Sequence, residues 1–592
     1  MQTDRVPERD EVEERYHWDL STFYNDSSWE RDFERIDEMI KPIEEMRSRL
    51  STQEDIVKVL SLRAELMRFT DKLYTYASLR ADEDTRNSYA QARKSRMLSK
   101  SAEVNGKIAW IEPEILSNPA VDEGSFGVMK YHVKRIVRMR GHLLSADEEA
   151  LIARASDIFS SPYQTFNFLA HADMRFPTIA DESGRDVELS EGRYISFLQN
   201  RDRRVRRDAF NALLGTYGSF KNTLACTLAY NVKANNYLAE SHHFQSALEA
   251  ALHEDNVPVE LYNHLIETTH GMISTLSKYL ELKREALGLE ELDMYDIYVP
   301  IVHPPEMELP FERARALILE ACKPLGEDYC NAIKSAFERR WIDIYENRGK
   351  MTGAYSGGCY DSDPYILLNY RDDIDSTFTL AHELGHSMHT YLANRAQPYI
   401  YSGYPIFIAE IPSTLNEALL QEYLIRTTSD LTLKAYLLSN LCESFRSTVY
   451  RQVMFAEFEK LVHEMDAEGE PLTAEKLSDA YYRLNSSYYP VINGDRMIST
   501  EWARIPHFYY NFYVYKYATS FCASQLFVER VLEGEKDGYI EMLSAGGSDD
   551  PLEIIKRGGV DMMDRKIMDG AFNTFDRAIE ELKGALQDLR TI

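Results

Sequence analysis

Thr379-Leu380-Ala381-His382-Glu383-Leu384-Gly385-His386-Ser387-Met388-His389-Thr390 contains an H-E-x-x-H motif. Leu380, Leu384, Met388 and Leu392 recur at a four-residue step, which predicts a half-buried helix. Asp375, Ser376 and Thr377 stand in front of it as candidate N-caps. On that helix His382 and His386 are i and i+4 and point the same way. Their imidazoles can share one tetrahedral metal ion at about 2.0–2.1 Å. Glu383, beside them, is placed to take a proton from a water that the metal activates. Histidine is scarce, 15 in 592 residues, and a chance match would not need an amphipathic, capped helix around it.

A third ligand has to come from outside the motif. Residues 387–409 contain no Asp or Glu, and the first acid is Glu410, in Ala409-Glu410-Ile411-Pro412-Ser413-Thr414-Leu415-Asn416-Glu417. Pro412 suits the first turn of a second helix, and Glu410 and Glu417, seven apart, share one face of it. Glu410 is the expected third ligand, and Glu417 the expected orienter of a ligand histidine. His389 is the competitor. It lies about 10 Å along the helix from His382, however, too spread for three side chains to converge on one ion, so it is read as lining the cleft. The pattern H-E-x-x-H-x-x-G-x-x-H fails as well, since position 389 is His and position 392 is Leu.

The chain of 592 residues is long enough for more than one domain. It is 44% hydrophobic and 28% charged, ordinary for a globular protein. No apolar run approaches the roughly 18 residues of a membrane span, and the charged N-terminus lacks an apolar signal core. A cytoplasmic location without membrane contact is expected. The six cysteines are scattered and form no C-x-x-C pair, which reads as reduced thiols. A net charge of −29 argues against nucleic acid as a partner. The one basic run, Arg201, Arg203, Arg204, Arg206 and Arg207, is read as a solvated helix face.

Elsewhere the pattern is helical. Residues 29–170 carry amphipathic segments, with Phe33, Ile36, Met39, Ile40, Ile43 and Met46 as the clearest. Phe176–Ile179 and Val187–Leu189 flank a polar turn and predict a small hairpin, after which the domain boundary is set: 1–198 as an N-terminal helical domain, 199–592 as a catalytic one. Helices return at Ala209–Tyr237 and Val259–Ala286, and another begins near Pro310. Before the histidine motif, Trp341–Tyr345 and Pro364–Tyr370 read as strands flanking the Gly-rich stretch Gly353–Tyr360, which has no G-K-[ST] and is no phosphate loop. An open strand edge there suits an extended peptide; a purely structural hairpin suits the composition equally. The stretch His507–Tyr517 is strongly aromatic in a chain with 38 tyrosines, a pattern as compatible with core packing as with catalysis.

Taken together, Trp18-Asp19-Leu20-Ser21, Gly349-Lys350, Gly353-Ala354-Tyr355-Ser356, Pro364-Tyr365-Ile366-Leu367, His382 to His389, Glu410-Ile411-Pro412-Ser413 with Glu417, and Pro506-His507-Phe508-Tyr509 resemble oligoendopeptidase F, in the wider group of thimet-oligopeptidase-like zinc peptidases. Met351-Thr352 departs from the more basic, serine-containing pair expected before Gly353. The resemblance implies a mainly α fold: a two-lobed, zincin-like helical ellipsoid with a deep channel and a small β-sheet next to the metal helix. It implies that His507, Tyr510 and Tyr517 face the substrate. The expected function is a zinc endopeptidase of short unstructured oligopeptides, with one Zn2+ per chain on His382, His386 and Glu410, zinc-activated water, and Glu383 as general base and acid. Thermolysin-like and aminopeptidase types place their glutamate roughly 19–20 residues after the second histidine; Pro405 and Ile406 stand there in this chain. A non-catalytic helical peptide-binding scaffold is the other rival, and the intact Glu383, both histidines and Glu410 speak against it.

Overall fold

Among the described residues, strand formation is confined to two short regions of a mostly helical chain. In the computed structural model, which describes residues 5–121 and 124–591, the expected hairpin is formed by β1 (Thr178–Ala180) and β2 (Asp186–Glu188), with Ile179 opposite Val187. The Asp181 side chain accepts from the backbone N–H groups of Ser183 and Arg185, and Gly184 takes a φ of +82° to close the turn. The second sheet comprises β3 (Ile342–Tyr345), β4 (Tyr355–Gly357) and β5 (Tyr365–Tyr370) in the order β3-β5-β4. β3 runs parallel and β4 antiparallel to β5. The buried run Tyr365–Leu368 is the central strand. The edge strand β4 lies in the Gly-rich stretch, where composition gave no strand signal: Ser and Gly are poor strand formers, and pairing with β5 holds it instead.

The chain divides into two compact units, each assembled from three segments: Met1–Gly141, Met307–Tyr423 and Phe527–Val560 in the first, His142–Glu306, Leu424–Leu526 and Asp561–Ile592 in the second. In the first unit the three-stranded sheet packs against α1 (Ile374–Ala396). Asp373 caps α1 by accepting from the Ser376 backbone N–H, two residues before the earliest expected cap. Leu380, Leu384 and Met388 are fully buried, each stabilising the packing by about 1.5–3 kcal/mol. The next helix, α2 (Ile406–Thr427), begins six residues before Pro412, so Pro412 sits inside the helix and not in its first turn. It has no N–H to offer the Ile408 carbonyl, a local loss that the buried Ile408, Ile411 and Leu415 around it offset.

The second unit holds the β1–β2 hairpin and most of the remaining helices. Two runs read as continuous helices are broken: Arg203–Ser219 gives way to Lys221–Ser241 at Phe220, and Val259–Gly271 to Ile273–Ala286 at Met272. A glycine, Gly218 or Gly271, precedes each break and weakens the helix there. In the first unit, Phe311–Ala321 takes Pro310 as its N-cap, not as a first-turn residue. The basic run is only partly a solvated face: the Arg206 guanidinium is buried, 2.7 Å from Asp296 Oδ1 and bonded to the Asn200 and Arg201 carbonyls, and Arg203 pairs with Asp293 and Asp296. Arg203 and Arg206 stand three residues apart, so helical periodicity turns both toward Asp296. All six cysteines are free thiols, and among the described residues no helix is long and apolar enough to cross a membrane.

Candidate active site

His382 and His386 project from the same face of α1, and their Nε2 atoms are 3.2 Å apart. Glu410 Oε2, from α2, lies 3.5 Å from each. Around a tetrahedral ion with bonds of about 2.0–2.1 Å, neighbouring donor atoms are separated by about 3.3–3.4 Å. The triangle therefore has the dimensions of three ligands with the fourth corner open. Among the described residues it is the cluster that could hold a metal ion. Two imidazole nitrogens and a carboxylate oxygen brought this close can share one cation, and this borderline N, N, O set is of the kind zinc takes.

The position of Glu410 follows from the way the two helices meet. Gly385, between the two histidines, packs directly against the backbone of Pro412 and Ser413, so α2 approaches α1 with no side chain between them. Ser413 Oγ donates to Glu410 Oε2 at 2.9 Å and fixes the carboxylate. Glu417, two turns further along α2, contacts His382 Nδ1; a donating Nδ1–H leaves Nε2 with the lone pair a metal needs. The His386 ring hydrogen-bonds the Ala409 carbonyl. Each histidine is thus oriented by α2.

Burial opposes a positive charge on His382, but contact with Glu417 outweighs it and the pKa is raised overall. Burial lowers His386 to about 4, which keeps it neutral and able to ligate. Glu383 is 7% exposed, and burial pushes its carboxyl up to about 7 against the pull of His382 and of the Ser356 backbone N–H, which donates to it. A cation on the neighbouring triangle would draw that value down again. Ser356 belongs to β4, and its Oγ is 2.8 Å from Ser387 Oγ on α1, so the edge strand is pinned to the helix at the level of Glu383. Ser356, Ser413 and Gly385 lie in the stretches that carry the resemblance, but no role was read for them from the sequence.

His389 does not line a cleft. It is 0% exposed and stacks on Tyr404 at 3.5 Å and 12°. Burial lowers its pKa to about 3, so it is a neutral packing residue. The face of α1 that carries His382 is covered by Tyr404 by the time it reaches His389.

His382, Glu383, His386 and Glu410 are brought together in the first unit; His507, Tyr510 and Tyr517 are brought together in the second. Tyr517 Oη is 3.5 Å from His507 Nε2, and the Tyr510 ring stands 5.6 Å from the His507 ring. Tyr513, which sequence reasoning passed over, joins them, 5.4 Å from the Tyr517 ring. Tyr510 is 42% exposed, and its hydroxyl is 3.0 Å from that of Tyr163. The cluster is made by a turn: Asn511 and Phe512 take φ values of +48° and +59°, a conformation that costs non-glycine residues about 1–2 kcal/mol each. The buried Glu459 holds that turn by accepting from the Phe512 backbone N–H at 2.6 Å.

Comparison with known proteins places this geometry in a family. The profile described as Peptidase family M3 matches residues 196–574, and the one described as Oligopeptidase F matches residues 120–176. Oligopeptidase PepF of Bacillus subtilis is 39% identical over 601 residues, covering 99% of this chain and 89% of that protein. Group B oligopeptidase PepB of Streptococcus agalactiae is 38% identical, covering 97% of this chain and 98% of its own length. The crystal structure of oligoendopeptidase-F from Enterococcus faecium aligns with a TM-score of 0.72 at 35% identity, over 95% of this chain and 99% of that one. That of a protein named as a peptidase, from Chlamydophila abortus, aligns with a TM-score of 0.94 at 32% identity, over 98% and 100%.

Proposed function

Since the chain belongs to peptidase family M3, in its oligoendopeptidase F group, and is thereby an oligopeptide-cleaving endopeptidase, we propose that it is a zinc enzyme acting on short unstructured peptides, with Glu383 as general base and acid. The observation that carries the metal assignment is the 3.2, 3.5 and 3.5 Å triangle of His382 Nε2, His386 Nε2 and Glu410 Oε2 beside a buried carboxyl. One zinc ion per chain would be held there, polarising the scissile carbonyl and bringing water toward a pKa of about 7. Glu383 takes the proton from the attacking water and returns it to the leaving amine. A carboxyl already raised by burial is a competent acceptor near neutral pH, and the Ser356 N–H steadies its charged form. Glu417 keeps His382 in the ligating tautomer.

His507, Tyr510 and Tyr517 are proposed as hydrogen-bond donors to the developing oxyanion; their clustering through one strained turn supports a joint action. The division at 198/199 is kept as a proposal for the family domains; it falls just inside the second matched region, which begins at 196 after the first ends at 176. A cytoplasmic site of action, without membrane or nucleic-acid partners, is proposed on the composition and charge.

The deciding experiment measures metal content together with cleavage of a fluorogenic peptide, before and after a chelator. Stoichiometric zinc, loss of activity on chelation and return on zinc addition are expected. Undiminished cleavage by metal-free protein would overturn the metal assignment, and metal-replete protein that binds peptides without cleaving them would restore the scaffold reading.

A further inference from the structure

A cavity of about 530 Å³ lies within the first unit beside the C-terminal half of α1. Two of its walls continue from the site already described. Thr390 lines it and follows His386 by one helical turn, about 6 Å. Gly358 lines it and directly follows β4, whose Ser356 N–H meets Glu383. Residues of an extended peptide are about 3.3 Å apart and point alternately to opposite faces. Thr390 stands seven residues, about 10 Å, along α1 from Glu383, a length that about three residues of an extended peptide cover.

The lining is of two kinds. Leu60, Ala64 and Met67 form an apolar wall along the helix Gln53–Glu83. One turn beyond Met67 comes Asp71, whose carboxylate accepts from Tyr399 Oη at 2.6 Å. Among the described residues no cation contacts Asp71. Burial raises its pKa, a cost that a cation entering the cavity would relieve. The two other titratable groups with positive character at the cavity leave that charge unmet. Arg63 is bonded to Glu112 at 2.7 Å, and burial lowers His132 to about 4, which keeps its ring neutral. An apolar wall ending in an uncompensated carboxylate matches a long aliphatic stem with a cationic head.

Resting on the peptidase reading above, we propose that this cavity is a specificity pocket for a lysine or arginine side chain of the peptide substrate, the stem lying along Leu60, Ala64 and Met67 and the charge meeting Asp71. The chain's net charge of −29 also favours the approach of cationic peptides.

Quenched-fluorescence peptides with one fixed cleavage site test this. Lys, Arg, norleucine or Glu is placed in turn at each of the three positions on either side of the scissile bond. One position is expected at which Lys and Arg exceed norleucine in kcat/KM by roughly 10–100-fold, with Glu poorest. Asp71→Asn should remove that preference, bringing kcat/KM for the Lys and Arg peptides down to that for the norleucine peptide. Asp71→Glu, which keeps the charge, should retain it in part. A wild-type enzyme that cleaves the norleucine peptides but favours a cation at no position overturns the pocket and leaves the peptidase reading intact, whether or not any variant folds. A preference that survives in folded Asp71→Asn overturns it equally. A metal-replete wild type that cleaves none of the peptides overturns the reading on which the pocket rests.

Discussion

Gly385 and Pro412 meet backbone to backbone: a β-carbon on Gly385 would stand 2.3 Å from the Pro412 carbonyl oxygen and 2.6 Å from the Ser413 Cα. Neither neighbour is the movable end of a side chain, so any residue larger than glycine has to push α2 away from α1. Because α1 supplies His382 and His386 while α2 supplies Glu410 and Glu417, that displacement acts on the whole metal triangle.

Gly385→Ala should therefore cost about 1–3 kcal/mol of stability through overpacking and weaken metal affinity by roughly 10–100-fold, the range seen when groups that support ligands are disturbed. Chelator competition measures the second quantity. Wild-type affinity in a variant of normal fold would show that the close approach does not set the ligand geometry.

Glu383→Gln should keep its metal and lose turnover by about 10²–10⁴. The amide still accepts from the Ser356 N–H but takes no proton. Stopped assays on metal-replete protein check this, and near-normal kcat would remove Glu383 from the mechanism.

Glu410→Ala should lose metal affinity far more than His389→Ala. The His389 ring stacks on Tyr404 in the core, so its loss should appear as a lower unfolding temperature from the cavity left behind. Zinc titration and thermal unfolding of both variants separate the two effects; equal zinc affinity in Glu410→Ala and wild type would reassign the third ligand.

A phenol with a reference pKa of about 10 stays protonated at neutral pH and can donate to an oxyanion. Tyr517→Phe should lower kcat by about 10²–10³ with little change in KM, because the bond forms in the transition state. A kcat within a few-fold of wild type accompanied by reduced stability would make the ring cluster a packing feature.

Glu459 supplies a pH test. Burial pushes its carboxyl to about 8 against the opposing Phe512 N–H, whereas in the unfolded chain it titrates near about 4.3. The folded state binds the extra proton between these values, so the stability contributed is complete below about 4.3 and is lost as pH rises through about 8. Wild type should melt progressively lower from pH 6 to pH 9. Glu459→Gln keeps the oxygen that accepts from Phe512 and cannot ionise, so its melting temperature should depend less on pH. Parallel pH profiles would show that Glu459 does not titrate in this range.

The candidate ligands were legible because each left a local mark: the four-residue leucine step set α1 and put His382 and His386 on one face, and the acid-free gap singled out Glu410. The supporting atoms left none. Ser356 reaches Glu383 only because β4 pairs with β5, and Tyr513 joins His507 only because Asn511 and Phe512 adopt positive φ. Pro412 was misplaced because a helical proline usually marks a first turn, and here packing around α2 overrides that rule. His389 was assigned from helix geometry alone, which gives the face of a residue but not what covers it.

The threading of the first unit bears on how the protein is made. Its candidate metal ligands lie close together in the chain, from His382 to Glu410, but the unit also draws on Phe527–Val560. A chain emerging from the ribosome thus presents the histidine helix well before the last segment that packs with it has been synthesised. Closing such distant segments is slow, and a growing chain can hold its ligands without yet having a finished unit around them. The surroundings of the histidine helix are thus finished only once residues 527–560 have been made.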